Sequence, residues 1–180
     1  MAETQYITFY VNERMFGVDI RLVREVCSDP EITPVARTPE FVRGLLNLRG
    51  QLVTVIDMNS RLGTGRSDGG KGTSCIVLKT EEELRHVARS ESMSDTTAAD
   101  RVGLLVDGVG DAVTADESQI EGPPPHAGGE GGRFLSSVVK LDDGLLATHD
   151  IAALLGTDED AALAQLPEAS AGSESAMEAP

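Results

Sequence analysis

The sequence predicts a mainly β fold built of small barrels, and three observations carry that expectation. Short runs in which apolar and polar residues alternate recur along the chain, about nine or ten of them, each with the period of two of a strand that buries one face. Turns containing Gly or Pro separate these runs, drawn from 19 Gly and 8 Pro. With 4 Phe, 2 Tyr and no Trp, the core is expected to consist of Val, Leu, Ile and Ala, which suits compact β packing.

Ile7, Phe9 and Val11 alternate with Thr8, Tyr10 and Asn12, so a strand is expected there; Asn12-Glu13-Arg14 turns the chain, and Met15 to Asp19 returns as its hairpin partner. Ile20 to Val26 reads as a helical turn or irregular edge, broken by Ser28-Asp29-Pro30. Thr38-Pro39-Glu40 offers a hydroxyl N-cap, a proline at the first helical position and an acid facing the helix dipole, which predicts a short helix before Gly44. Gln51 to Asp57 alternates as a strand, with Leu52 fitting least cleanly, and a Gly- and Ser-rich loop over Gly63 to Gly72 leads to a strand from Thr73 to Lys79.

Residues 81–100 show no strand alternation and hold six acids against two bases, which predicts a solvated insertion. Val102 to Val113 reads as a long strand pair, bent or bulged at Asp107-Gly108-Val109-Gly110-Asp111. Gly122 to Gly132 forms a second loop, and Phe134 to Leu141 with Leu145 to Thr148 a last hairpin turning at Asp142-Asp143-Gly144. Asp150 caps a short helix, Ile151 to Leu155, that Gly156 ends. One domain is thus expected over residues 1–156, with 157–180, six acids and no base, as an acidic, disordered tail.

The formal net charge of −15 argues against a nucleic-acid partner, because neutralising phosphates supplies most of that affinity. Charge is unevenly spread: residues 1–80 carry ten bases against nine acids, residues 101–156 three against nine. Cys27 and Cys75 have neither C-x-x-C spacing nor flanking histidines, so buried free thiols are expected, with no metal site. The first residues lack a basic and apolar leader, and no uncharged stretch is long enough to span a bilayer. A cytoplasmic protein without direct membrane insertion is expected.

Motifs for chemistry are weak. Gly65 to Lys71 matches the start of a phosphate-binding loop, but Gly72 stands where Ser or Thr would hold magnesium and no helix is expected to follow. Asp107, Asp111 and His149 would have to converge to hold a metal ion for a small hydrolytic or metal-binding barrel, the alternative from a different functional class. Ser136-Ser137 lacks a nucleophile elbow. The expectation is therefore no enzyme and no cofactor.

The informative stretch is Pro39 to Asp57, PEFVRGLLNLRGQLVTVID. Gly44 and Gly50 suggest unusual torsions or close approach, and Arg49 sets a planar donor on a loop, where it either meets a partner or braces the structure internally. From Phe41 to Asp57 this run resembles the signature of CheW-like coupling domains, Phe-(Val/Ile)-(Arg/Lys)-Gly-x-x-Asn-Leu-Arg-Gly-x-(Leu/Ile)-Val-x-(Val/Ile)-(Val/Ile)-Asp. Phe16-Gly17-Val18-Asp19-Ile20, Val23-Arg24-Glu25-Val26, Val102 to Val109 and Asp150-Ile151 with Leu154-Leu155 resemble further family segments in order, so the resemblance runs from about residue 5 to 156. The insertion at 81–100 and the Gly-rich 122–132 stretch depart from it.

The resemblance implies two five-stranded SH3-like barrels sharing an apolar core, and a non-catalytic scaffold that couples methyl-accepting chemoreceptors to a CheA-type histidine kinase. Its implied partners are the receptor's cytoplasmic tip and the kinase's regulatory domain, with possible self-association in arrays beneath the inner membrane. A pilus or other chemosensory-like pathway is a related alternative. Carried over by position, Val23 and Glu25 fall where the family contacts its partners, and Gly44, Asn47, Arg49 and Gly50 fall in the segment implicated in receptor coupling.

Overall fold

The alternation of the first residues becomes a hairpin in the computed structural model, which describes residues 2–87, 101–127 and 132–156. Strand β1 (Glu3–Val11) pairs antiparallel with β2 (Arg14–Asp19), placing Phe9 opposite Phe16. Asn12 and Glu13, both at positive φ, make the two-residue turn whose twist matches the strands. Asp19 then caps a single 3₁₀ turn, Ile20–Leu22, and the chain enters β3 (Val23–Ser28).

The described residues hold twelve strands, more than the nine or ten expected. The rest are β4 (Ile32–Thr33), β5 (Val42–Leu48), β6 (Gln51–Asp57), β7 (Ser74–Leu78), β8 (Val102–Val106), β9 (Gly108–Asp116), β10 (Ile120–Glu121), β11 (Leu135–Leu141) and β12 (Gly144–His149). They form two six-stranded sheets, β10-β11-β12-β2-β1-β9 and β3-β7-β8-β6-β5-β4. The two-residue strands β4 and β10 account for the excess, being too short to show any periodicity; without them each sheet has the five strands expected. Two pairings are parallel, β12 with β2 and β6 with β8, and each joins strands that are not consecutive in the chain.

Three apolar clusters explain why two sheets make one body. Tyr6, Ala115, Val139 and Leu146 fill the first sheet, and Leu46, Val53, Val55, Cys75, Val77 and Leu105 fill the second. The largest cluster lies between them, sharing Phe9, Val11 and Val18 from the first sheet with Ile56, Ile76, Leu104 and Val106 from the second. The few aromatic residues concentrate there: Phe9, Phe41 and Phe134 are buried in it and Phe16 packs against it. This is a pair of SH3-like barrels around a shared core.

The helix expected from Thr38-Pro39-Glu40 is absent. The Val42 amide donates to the Pro39 carbonyl in a turn, and the chain goes directly into β5. Tertiary pairing with β6 and β4 overrides the local capping signal, and Gly44, at φ 148°, could not continue a helix. A helix the pattern did not suggest, α1 (Met58–Arg61), follows β6, capped by Asp57. Residues 81–87, expected to lie in a structureless insertion, form α2 (Glu81–Val87). Thr80 and Glu83 exchange side-chain and backbone hydrogen bonds as a capping box, and Leu84 is buried in the shared core. Residues 88–100 and 157–180, where the rest of the insertion and the acidic tail were expected, lie outside the described residues.

Helix α3 (Ile151–Leu155) starts at Asp150 and ends at Gly156 as expected, and Arg61 holds its C-terminal end. The buried Arg61 guanidinium donates to the carbonyls of Leu154 (2.9 Å), Ala153 (3.2 Å) and Gly156, and lies 4.1 and 4.7 Å from the ring centres of Phe41 and Phe134. A cation at a helix C-terminus is favoured by the dipole, and here it also ties the second sheet to the last helix.

Candidate functional site

Four of the six residues singled out in the sequence come together at one end of the second sheet. Arg49 and Gly50, at φ 52° and 81°, form the two-residue turn joining β5 to β6, and Asn47 accepts the Gly50 amide at 2.9 Å. Glu25 reaches this turn from β3: Arg49 donates to both its carboxylate oxygens, Nη2 at 2.9 Å and Nη1 at 3.2 Å. Because β3 has a backbone ladder only to β7, side chains rather than amides close this side of the sheet.

Arg24 extends the lacing. Its Nη1 lies 3.3 Å from Gln51 Oε1 at the start of β6 and 3.2 Å from Glu83 Oε1 on α2. The capped helix of the insertion is thereby fixed beside the Glu25–Arg49 pair. Sequence reasoning passed over Arg24, although it stands next to Glu25 in the segment used for the resemblance.

Exposure divides the six residues. Asn47, Arg49 and Gly50 are exposed, the Arg49 side chain at 75%, and Glu25 is partly covered at 21%. Arg49 therefore both braces β3 and offers its remaining donors to solvent. As an exposed pair it contributes only about 0.2–1 kcal/mol to folding, so its position on the turn owes little to stability. Val23, by contrast, is buried in the shared core opposite Leu78. Gly44 is buried as well: an added Cβ would lie 2.2 Å from the Thr33 carbonyl oxygen, so glycine there lets β4 approach β5. An added Cβ at Gly50 meets nothing within 4 Å, so that position is limited by its torsion alone.

The surface is not wholly polar. Leu52, directly opposite Asn47 in the β5–β6 register, is 63% exposed, and Val26 on β3 is also exposed. Its irregular place in the strand alternation was the sequence signal for Leu52.

Asp57 closes the signature run from inside. Fully buried, its carboxylate accepts from the amides of Asn59 (3.0 Å) and Ser67 (3.0 Å) and lies 3.6 Å from Arg43 Nη1. The loop Gly65 to Lys71 thus hangs on the signature strand, and its residues Arg66 to Lys71 line an open polar cleft of about 410 Å³. The next element is β7, a strand, so no helix N-terminus stands behind this loop. Asp107 marks the bend where the chain leaves the second sheet for the first, and its carboxylate accepts from the Asn12 amide (2.6 Å) and Asn59 Nδ2 (2.8 Å). His149 is buried against Phe16, ring centres 4.6 Å apart, and burial lowers its pKa to about 4. Among the described residues no group of three His, Cys, Asp or Glu side chains is placed to hold a metal ion.

Two barrels around one core, with a laced and solvent-facing arginine turn, define a β scaffold whose distinctive residues lie on a surface. The comparisons with known proteins agree. The CheW-like domain family matches residues 5–159. Chemotaxis protein CheW of Klebsiella aerogenes is 27% identical over 155 residues, covering 86% of this chain and 83% of that protein. CheW of Rhizobium meliloti is likewise 27% identical, covering 86% and 89%. The crystal structure of the scaffolding protein TtCheW from Thermoanaerobacter tengcongensis superposes with a TM-score of 0.69 at 28% identity, covering 87% of this chain and 95% of that one. The chain belongs to the CheW-like domain family. It is a non-catalytic adaptor of chemotaxis signal transduction.

Proposed function

We propose that this adaptor joins the cytoplasmic tips of methyl-accepting chemoreceptors to the regulatory domain of a CheA-type histidine kinase, in the cytoplasm and within receptor arrays. The reading rests on the family membership and on one structural observation: Arg49, Asn47 and Gly50 form an exposed turn that Glu25 and Arg24 hold in place from β3. Glu25, Asn47, Arg49 and Gly50 are the proposed contact residues, and Val23 and Gly44 shape the surface from beneath. Exposed Leu52 and Val26 add apolar area of the kind a helical hairpin can cover. Signal passes as a shift in the relative orientation of bound partners, which requires both to be held at once.

The test is a pull-down of purified protein with a receptor signalling fragment and a kinase regulatory domain, comparing wild type with Arg49→Ala and Val23→Ala. Both partners are expected to bind wild type, with Arg49→Ala losing one of them while remaining folded. Binding to neither, at the salt concentration of the source cell, overturns the reading.

A further inference from the structure

The two cysteines of the chain, 48 positions apart, face one another across the β3–β7 ladder. Cys27 on β3 is the direct register partner of Cys75 on β7. Residues directly opposite in an antiparallel pair have Cα atoms about 4.5–5.5 Å apart and side chains on the same face, within the span a disulfide needs. Both belong to one packed group: Cys75 is buried in the cluster filling the second sheet, and Cys27, partly exposed, packs against it. Both are free thiols.

We propose that Cys27 and Cys75 are a redox-modification site, forming an intramolecular disulfide across β3 and β7 when the protein meets a hydroperoxide. Cys27 is the entry point because it is the less buried of the two. Its thiolate attacks one peroxide oxygen, the O–O bond breaks, and Cys27 becomes a sulfenic acid. The Cys75 sulfur then attacks the Cys27 sulfur, an S–S bond forms and the S–O bond breaks. Two thiols are oxidised, and hydrogen peroxide is reduced to two waters.

The geometry sets the order and the pace of these steps. An added Cβ on Gly103 of β8 would lie 2.4 Å from Cys75 Sγ, so that sulfur sits toward β8, on the side of β7 away from β3. Rotation about χ1 carries it towards Cys27, and this rotation follows the first oxidation. Burial, and then Glu25, raise the Cys27 thiol above its ordinary value while Arg49 opposes them, and burial pushes Cys75 up to about 12. The first step therefore accelerates as pH rises. The bridge would fasten β3, an outermost strand of its sheet, to the interior strand β7.

The inference does not depend on what the protein binds. The test exposes wild type to excess hydrogen peroxide at pH 8, quenches with iodoacetamide in denaturant, and measures intact mass and non-reduced peptides. Expected are monomers lighter by two hydrogens, one cross-linked peptide pair carrying Cys27 and Cys75, and a urea midpoint that rises and returns on reduction. Cys75→Ala is expected to stop at the sulfenic acid of Cys27, trapped by dimedone. Two alkylated thiols in every wild-type molecule, sulfinic acid without a cross-link, or disulfides only between chains would each overturn the proposal.

Discussion

Replacing Gly44 and Gly50 by alanine, one at a time, separates two reasons for glycine in the same signature run. At Gly44, φ is 148° and the new methyl would lie 2.2 Å from the Thr33 oxygen, 2.8 Å from its carbonyl carbon and 3.0 Å from Pro34 Cα. All three are backbone atoms, so no side-chain rotation relieves the contact. The torsion costs about 1–3 kcal/mol, and moving β4 away from β5 adds a similar amount, for a total of about 2–6 kcal/mol. At Gly50 the space is open, and a left-handed alanine costs about 1 kcal/mol. For a domain of this size these correspond to losses of about 4–24 °C and about 2–4 °C in Tm. Equilibrium urea denaturation of both variants beside wild type measures the difference directly. Equal costs, or a Gly44→Ala variant as stable as wild type, would refute the argument that close backbone approach requires this glycine.

Arg61→Ala removes the guanidinium from three carbonyls at the end of α3 and from between two rings, and should cost about 3–4 kcal/mol in urea denaturation; Arg61→Lys should recover only part, since it lacks the planar fork. His149 binds a proton at its ordinary 6.5 when unfolded but only near 4 when folded, so its contribution is complete above about pH 6.5 and is lost as pH falls towards 4. That loss amounts to roughly 3 kcal/mol, and His149→Met should flatten this part of a stability-against-pH curve. Glu25→Arg with Arg49→Glu should keep the pair and near-wild-type stability while weakening partner binding, whereas restored binding would show that the pair matters only as a brace.

The β character was legible because alternation is a local signal, and the hairpins at Asn12-Glu13 and Asp142-Asp143 appeared where turn residues interrupt it. Thr38-Pro39-Glu40 misled for the complementary reason: a capping pattern states a local preference, and pairing of β5 with β6 outweighs it. The two-residue strands β4 and β10 carry no periodicity to read. At the site, the flanking glycines pointed to an accessible loop at Arg49, and the structure makes Arg49 and Gly50 an exposed turn with exposed Asn47 beside it. The Arg49–Glu25 pair spans 24 positions and arises only once the barrel closes, so spacing alone could not reveal it. Val23 stands among the contact positions through the resemblance alone, and its burial in the shared core, next to the register shift between Val23 and Glu25, is visible only in the structure.

The central claim is that one molecule of this adaptor holds a receptor tip and a kinase regulatory domain together. Sedimentation velocity on an equimolar mixture of the three proteins tests it most directly. A single boundary containing all three, reduced to a binary complex by Arg49→Ala, is the predicted result. Two binary complexes that displace one another, with no ternary species at any ratio, would contradict the account.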